Sequence, residues 1–192
     1  RHLANRVKRV VLLGPAHRVA FKGIAVPSVD AHATPLGDIP VDWQSVAQAL
    51  SLPQVHISDA VFEGEHSLEV HLPFLQRTLG EFALVPFLVG DATPEGVEQI
   101  LRKLWGGPET LIVISTDLSH FYDYDTARKR DANTTRAIET FNVEGLNSDF
   151  ACGVRPLGGL LRAAQRLDLR PTTLDLRNSG DTAGDKNRVV GY

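Results

Sequence analysis

Apolar positions cluster in short runs that end abruptly in polar residues. The clearest is Leu111-Ile112-Val113-Ile114, a continuous apolar stretch rich in β-branched residues, followed at once by Ser115-Thr116-Asp117-Leu118-Ser119-His120. Such a run predicts a strand packed on both faces, and we expect residues 110–115 at the centre of a sheet. Val10-Val11-Leu12-Leu13 repeats the pattern, breaking at Gly14-Pro15 before His17. Phe82 to Val89 forms a third run, closed by Gly90-Asp91. Weaker alternation predicts strands over 21–29, with Pro27 suggesting an edge position, and over 54–61. Residues 30–41, with Pro35, Gly37 and Pro40, read as a loop or hairpin.

Helical spacing appears between these runs. Leu68, Leu72, Leu75 and Leu79 form a stripe that predicts a helix over 65–79, kinked or started late by Pro73. Asp42 reads as the cap of a helix to Leu50. Thr93-Pro94 opens a helix to about Trp105. Asp123 or Asp125 starts a long helix reaching Phe141. A shorter helix is expected at 143–150, and another from Pro156 to Leu167. Residues 172–177 read as a strand, 178–182 as a polar loop, and the last residues as the opening of another strand. Strands alternating with helices predict an α/β fold: a mostly parallel or mixed central sheet with helices on both faces. No repeat or linker interrupts it, so residues 1–192 read as one domain.

Composition narrows the function classes. The chain has 192 residues, 43% hydrophobic and 22% charged, with net charge −3 and pI near 6.2. That balance gives no push toward nucleic acid or an anionic membrane. No apolar run approaches a bilayer span, and no signal peptide is visible. One cysteine excludes an internal disulfide, and a reducing, cytoplasmic setting is the simplest expectation. The sequence contains no Met and begins Arg1-His2. It therefore reads as part of a longer protein, incomplete at both ends.

The candidates for chemistry are His17, Glu65, His66, Glu69, His71, Asp117, His120 and Cys152. A P-loop, a nucleophile elbow, a dinucleotide fingerprint and a Cys-x-x-Cys pair are all absent. Side chains just past the carboxyl ends of strands sit where α/β sheets place ligands. Two such strands, ending near His17 and His120, would bring their imidazoles to one edge, as a metal or acid–base site requires. The bland alternative makes Asp117 a helix cap and His120 a surface residue. Cys152 could be a small buried hydrophobe, a nucleophile or a thiolate ligand. His66 could be held by Glu69 or Glu65, and His71 could hydrogen-bond the backbone. His56 reads as a surface residue, and His32 as a minor candidate.

Four segments together resemble the Memo family. They are Gly14-Pro15-Ala16-His17, Glu65-His66-Ser67-Leu68-Glu69-Val70-His71-Leu72-Pro73-Phe74, Ser115-Thr116-Asp117-Leu118-Ser119-His120 and Cys152-Gly153-Val154-Arg155-Pro156-Leu157. In bacteria and archaea this resembles protein B of the AmmeMemoRadiSam system. The resemblance covers nearly the whole chain and implies a fold like that of class III extradiol ring-cleavage dioxygenases. It implies His17 and Cys152 as metal ligands, His120 with Asp117 beside it as the acid–base pair, and iron or copper as the metal. His66, Glu69 and His71 would line or support the pocket. Two departures stand out. The family's upstream Pro-His-Ala-Gly segment is not in this sequence, and Cys152 stands where the dioxygenases carry a carboxylate ligand.

Three functions follow as expectations from the resemblance. The first is a redox-metal protein with an unidentified substrate. The second is a non-catalytic binding module for a small molecule or peptide, acting with radical-SAM and AMMECR-type partners. The third and least favoured is an active extradiol dioxygenase, because a thiolate donates more charge to iron than a carboxylate and can itself be oxidised.

Overall fold

Two seven-residue strands built on apolar runs pair in parallel inside the sheet: β1 (Arg9–Pro15) and β6 (Ala83–Val89), with Val11 opposite Val85. Alternation along β1 divides the core between the two faces of the pleat. Val11 and Leu13 join Val97, Ile100 and Leu101 on one side. Val10 and Leu12 join Leu68, Leu72 and Leu79 on the other. The computed structural model describes residues 4, 6–142, 144, 146–182 and 184–192.

The remaining strands of the sheet are β2 (Ile24–Val26), β5 (Val55–Ile57) and β7 (Thr110–Ile114). Their order is β5-β2-β6-β1-β7. The β2–β6 pairing is antiparallel and the others are parallel, so the sheet is mixed. A small hairpin, β3 (Ala31–His32) with β4 (Ile39–Pro40), lies in the region read as loop or hairpin.

Among the described residues β7 lies at the edge of this sheet, not at its centre. Its apolar run is nonetheless accounted for. Ile112 and Ile114 pack on one face and Leu111 and Val113 on the other. Periodicity reports covered faces and is silent about which strands flank them. The strand expected over 21–29 shrinks to three residues. Gly23, at φ +84°, precedes it and Pro27 follows. β2 is flanked on both sides, which corrects the edge position inferred from Pro27. The strand expected over 54–61 likewise shortens to Val55–Ile57.

Helix caps fall where the sequence places them. Asp42 accepts from the Ser45 N–H to start α1 (Trp43–Leu50). Thr93 accepts from the Gly96 N–H at α3 (Pro94–Leu104). Asp123 accepts from the Thr126 N–H at α4 (Tyr124–Glu139). The helix expected over 65–79 starts late: a 3-10 turn at Glu69–His71 leads into α2 (Leu72–Leu79), with Pro73 in its first turn. α5 (Val154–Arg166) begins before Pro156, because a proline in the first turn lacks only an N–H that has no helical partner. The helices α1, α3 and α5 cover one face of the sheet, and α2 covers the other.

Two expected elements differ. Within 143–150, residues 143 and 145 lie outside the described residues, and 146–150 contain a turn but no helix. Residues 172–177 form no strand. Their end is instead tied to the C-terminus by reciprocal Arg177–Tyr192 backbone hydrogen bonds, both 2.9 Å. A strand absent from the sequence reading, β8 (His120–Tyr122), pairs antiparallel with β9 (Val189–Val190). Among the described residues no helix is long and apolar enough to cross a membrane.

Leu12 is fully buried between β6 and β7. We expect Leu12→Ala to lower unfolding free energy by about 2–5 kcal/mol in chemical denaturation, through lost burial and an incompletely collapsed cavity.

Candidate metal centre

Strands β1 and β7 run parallel and in register, so their carboxyl ends open on the same side of the sheet. Chain continuing from β1 delivers His17, and chain continuing from β7 delivers Asp117 and His120. The amino end of α5 closes the third side with Cys152.

Two reciprocal contacts lace the exit of β7 to the start of α5. The Asp117 N–H donates to Cys152 Sγ at 3.1 Å, while the Cys152 N–H donates to the Asp117 carbonyl at 3.2 Å. The Gly153 N–H donates to Thr116 Oγ1 at 2.8 Å. Gly153 is required by space. A Cβ there would lie 2.4 Å from the Ser115 carbonyl oxygen, so any side chain would push α5 away from β7. As a result, ligating atoms of Asp117, His120 and Cys152 lie within 4.8 Å of one another. His120 Nε2 stands 3.8 Å from Asp117 Oδ2.

His17 is organised by a different carboxylate. Glu65 side-chain atoms are only 2% exposed. One of its oxygens accepts from the His17 backbone N–H at 2.5 Å. The other meets His17 Nδ1 at 3.1 Å and accepts the His66 and Ser67 N–H groups at 2.8 and 3.0 Å. Burial pushes the Glu65 carboxyl upward, but these hydrogen bonds outweigh it and hold it at about 2. A carboxylate accepting from Nδ1–H leaves Nε2 with the lone pair, the usual orientation of a metal-binding imidazole. His66 stacks on His17 with ring centroids 5.7 Å apart.

His17 does not join the group of three ligating atoms, but it shares a cavity with Cys152. This cavity, about 430 Å³, is walled by Val19, Phe21, Val89 and Pro156 as well. A second, of about 570 Å³, lies against Cys152, Val154 and Leu157. Both include Arg155, whose guanidinium pairs with Asp91 at 2.9 Å and donates to the Gly90 carbonyl.

The remaining candidates separate. His71 Nε2 meets the Ser115 hydroxyl at 2.9 Å, a side-chain partner where a backbone one was expected. Burial lowers the His71 pKa, with the Asp117 charge opposing. Glu69 neither contacts His66 nor joins the three-residue group. It lines a separate cavity beside His32, where its charge raises the His32 pKa against a larger lowering by burial. His56 is exposed, as expected. Glu65 was a candidate, as a partner of His66, but its pairing with His17 was not legible. Thr116 and Gly153 were signalled only by adjacency to Asp117 and Cys152.

This set of side chains, a cysteine sulfur, an imidazole and a carboxylate at the carboxyl end of an α/β sheet, is one that could hold a metal ion. The family model for Memo-like proteins matches residues 2–192, and the chain belongs to the Memo family. A MEMO1 family protein of Aquifex aeolicus is 36% identical over 96% of this chain and 73% of its own length. One from Thermotoga sp. is 34% identical over 95% of this chain and 69% of its own. Another, from Sulfolobus acidocaldarius, is 30% identical, covering 95% and 69%.

Because Glu65 is held near 2 against an ordinary 4.5, its contribution to stability is fully present above pH 4.5 and is lost as pH falls through about 2. Glu65→Gln should therefore lower the thermal midpoint at pH 7. The gap from the unsubstituted chain should narrow as pH approaches 2 in parallel melts.

Proposed function

We propose that this chain is a Memo-type protein whose pocket holds a redox metal, iron or copper, beside a small-molecule or peptide site of unidentified specificity. The observation that carries this reading is the convergence of Asp117, His120 and Cys152 within 4.8 Å. The fit is chemical: thiolate and imidazole suit iron, copper and zinc, and a carboxylate adds charge for a divalent ion. His17, with Nδ1 occupied by Glu65, supplies a fourth donor from across the shared cavity.

When bound, such a metal supplies a one-electron couple and a Lewis acid. The chain's own residues do the rest. Cys152 and Asp117 offer negative charge to hold a cation, and the Asp117 N–H donates to the sulfur. His120, beside Asp117, supplies the imidazole of this group; the acid–base role that the resemblance implies for it belongs to a pocket in which His17 and Cys152 alone hold the ion. Val19, Phe21 and Pro156 line one side of the cavity at Cys152 with apolar surface, and Arg155, paired with Asp91, brings a cation to its edge. A cytoplasmic setting goes with this reading, since a reducing environment keeps Cys152 available.

A binding module without turnover is the second reading, favoured by two cavities meeting at Cys152, together large enough for an organic ligand or a peptide side chain. Radical-SAM and AMMECR-type proteins are the partners proposed for it. An active extradiol dioxygenase ranks behind both, because the third donor is sulfur.

Elemental analysis of anaerobically purified full chain decides between the first two. We expect stoichiometric iron or copper, lost in His17→Ala and reduced in Cys152→Ser. No metal after loading with either ion would overturn the metal reading in favour of the binding module.

A further inference from the structure

Asp131 lies on α4, outside the group of candidate ligands, yet it is 2% exposed and carries a carboxylate. One oxygen accepts from the Ser119 backbone N–H at 2.9 Å. The other is buried with no hydrogen-bond partner among the described residues, as is the neighbouring Ser119 hydroxyl. A buried carboxylate oxygen without a donor is costly. Its retention points to a job other than stability.

Three further observations converge on the same spot. First, Gly191 packs directly on Asp131: a Cβ there would lie 2.0 Å from the carboxylate. Second, Gly191 grips the stretch carrying the candidate ligands, its carbonyl accepting from the Leu118 N–H and its N–H donating to the Ser119 carbonyl. Third, the β8–β9 pairing is irregular between His120 and Tyr122, where Phe121 holds φ +64°. A non-glycine residue in that region is strained and persists only when its surroundings over-determine it. Arg188 caps the Phe121 ring at 4.4 Å, adding one more restraint from the C-terminal segment.

We propose that Asp131 is a positioning residue: wedged between the Ser119 N–H and Gly191, it locks the 117–120 stretch against β9 and so sets the spacing of Asp117 and His120. The inference rests on the metal reading for its functional meaning, but the geometry it describes exists without a metal. Asp117 leaves the lock on one side and His120 on the other. Without it, the strained bulge can relax toward regular pairing, and a one-residue adjustment in a strand turns each side chain to the opposite face. His120 would then leave the group of three.

The test uses the full chain, with cobalt(II) as the metal probe, and the imidazole NMR resonances of the metal-free protein as a second readout. Asp131→Ala should shift the His120 ring resonances and leave those of His32 and His56 in place. It should also weaken cobalt binding by about tenfold or more, at unchanged far-UV circular dichroism. Asp131→Asn keeps an oxygen to accept the Ser119 N–H and should restore both readouts. A folded Asp131→Ala with unmoved His120 resonances overturns the proposal, and so does Asp131→Asn behaving like the alanine variant. If Asp131→Ala fails to fold, Gly191→Ala displaces the carboxylate from the other side and must move the same resonances; a folded Gly191→Ala that leaves them in place overturns it equally. Should the unsubstituted chain bind no cobalt, the metal reading falls by itself, and the metal-free resonances still decide the role of Asp131.

Discussion

The site depends above all on the lacing between the end of β7 and the start of α5. Two backbone N–H groups, of Asp117 and Gly153, each find an acceptor on the opposite segment, Cys152 Sγ and Thr116 Oγ1. These donors lie where chain leaves regular structure and would otherwise go unsatisfied. The same contacts that satisfy the backbone place the thiol beside the carboxylate. Gly153 makes this lacing feasible, because nothing larger fits against the Ser115 carbonyl. Fold and site therefore share one set of interactions.

Around that junction the protein uses carboxylates in two distinct ways. Glu65 is saturated with donors, all from its own segment or from His17. Saturation holds it ionised and ties the His17 turn to residues 65–67. Asp131 is under-satisfied, with one donor for two oxygens. Asp117 is more than half exposed, and of the three only it has its oxygens beside His120 and Cys152. Burial and donor count thus separate three chemically identical groups into a brace, a wedge and a candidate ligand.

Much of the architecture was legible because it rests on local chemistry. Asp42, Thr93 and Asp123 cap helices where side-chain acceptors precede helical spacing, and the Leu68–Leu79 stripe packs as its period requires. Strand position in the sheet was not legible. Both faces of β7 are packed, and an apolar run cannot say whether a neighbour lies beyond its edge. β8 was missed for a related reason: His120-Phe121-Tyr122 carries no alternation of its own and becomes a strand only when Val189 and Val190 arrive from far along the chain. In the site, residue types announced themselves while pairings did not. Glu65 serves His17, 48 positions away, and not a helical neighbour such as Glu69.

The pairing of β8 with β9 carries a consequence for the order of events during synthesis. His120 is held by Val190 and the Gly191 clamp, which lie much later in the sequence than β7. Contacts of such long sequence separation form late, after the loop between them has closed. On a ribosome, β1, β6 and β7 can be in place while the pocket is still open and its donors unassembled. A nascent chain would therefore leave His120 unregistered until Val189–Gly191 has emerged and docked, so that Asp117, His120 and Cys152 come together only after the sheet beneath them.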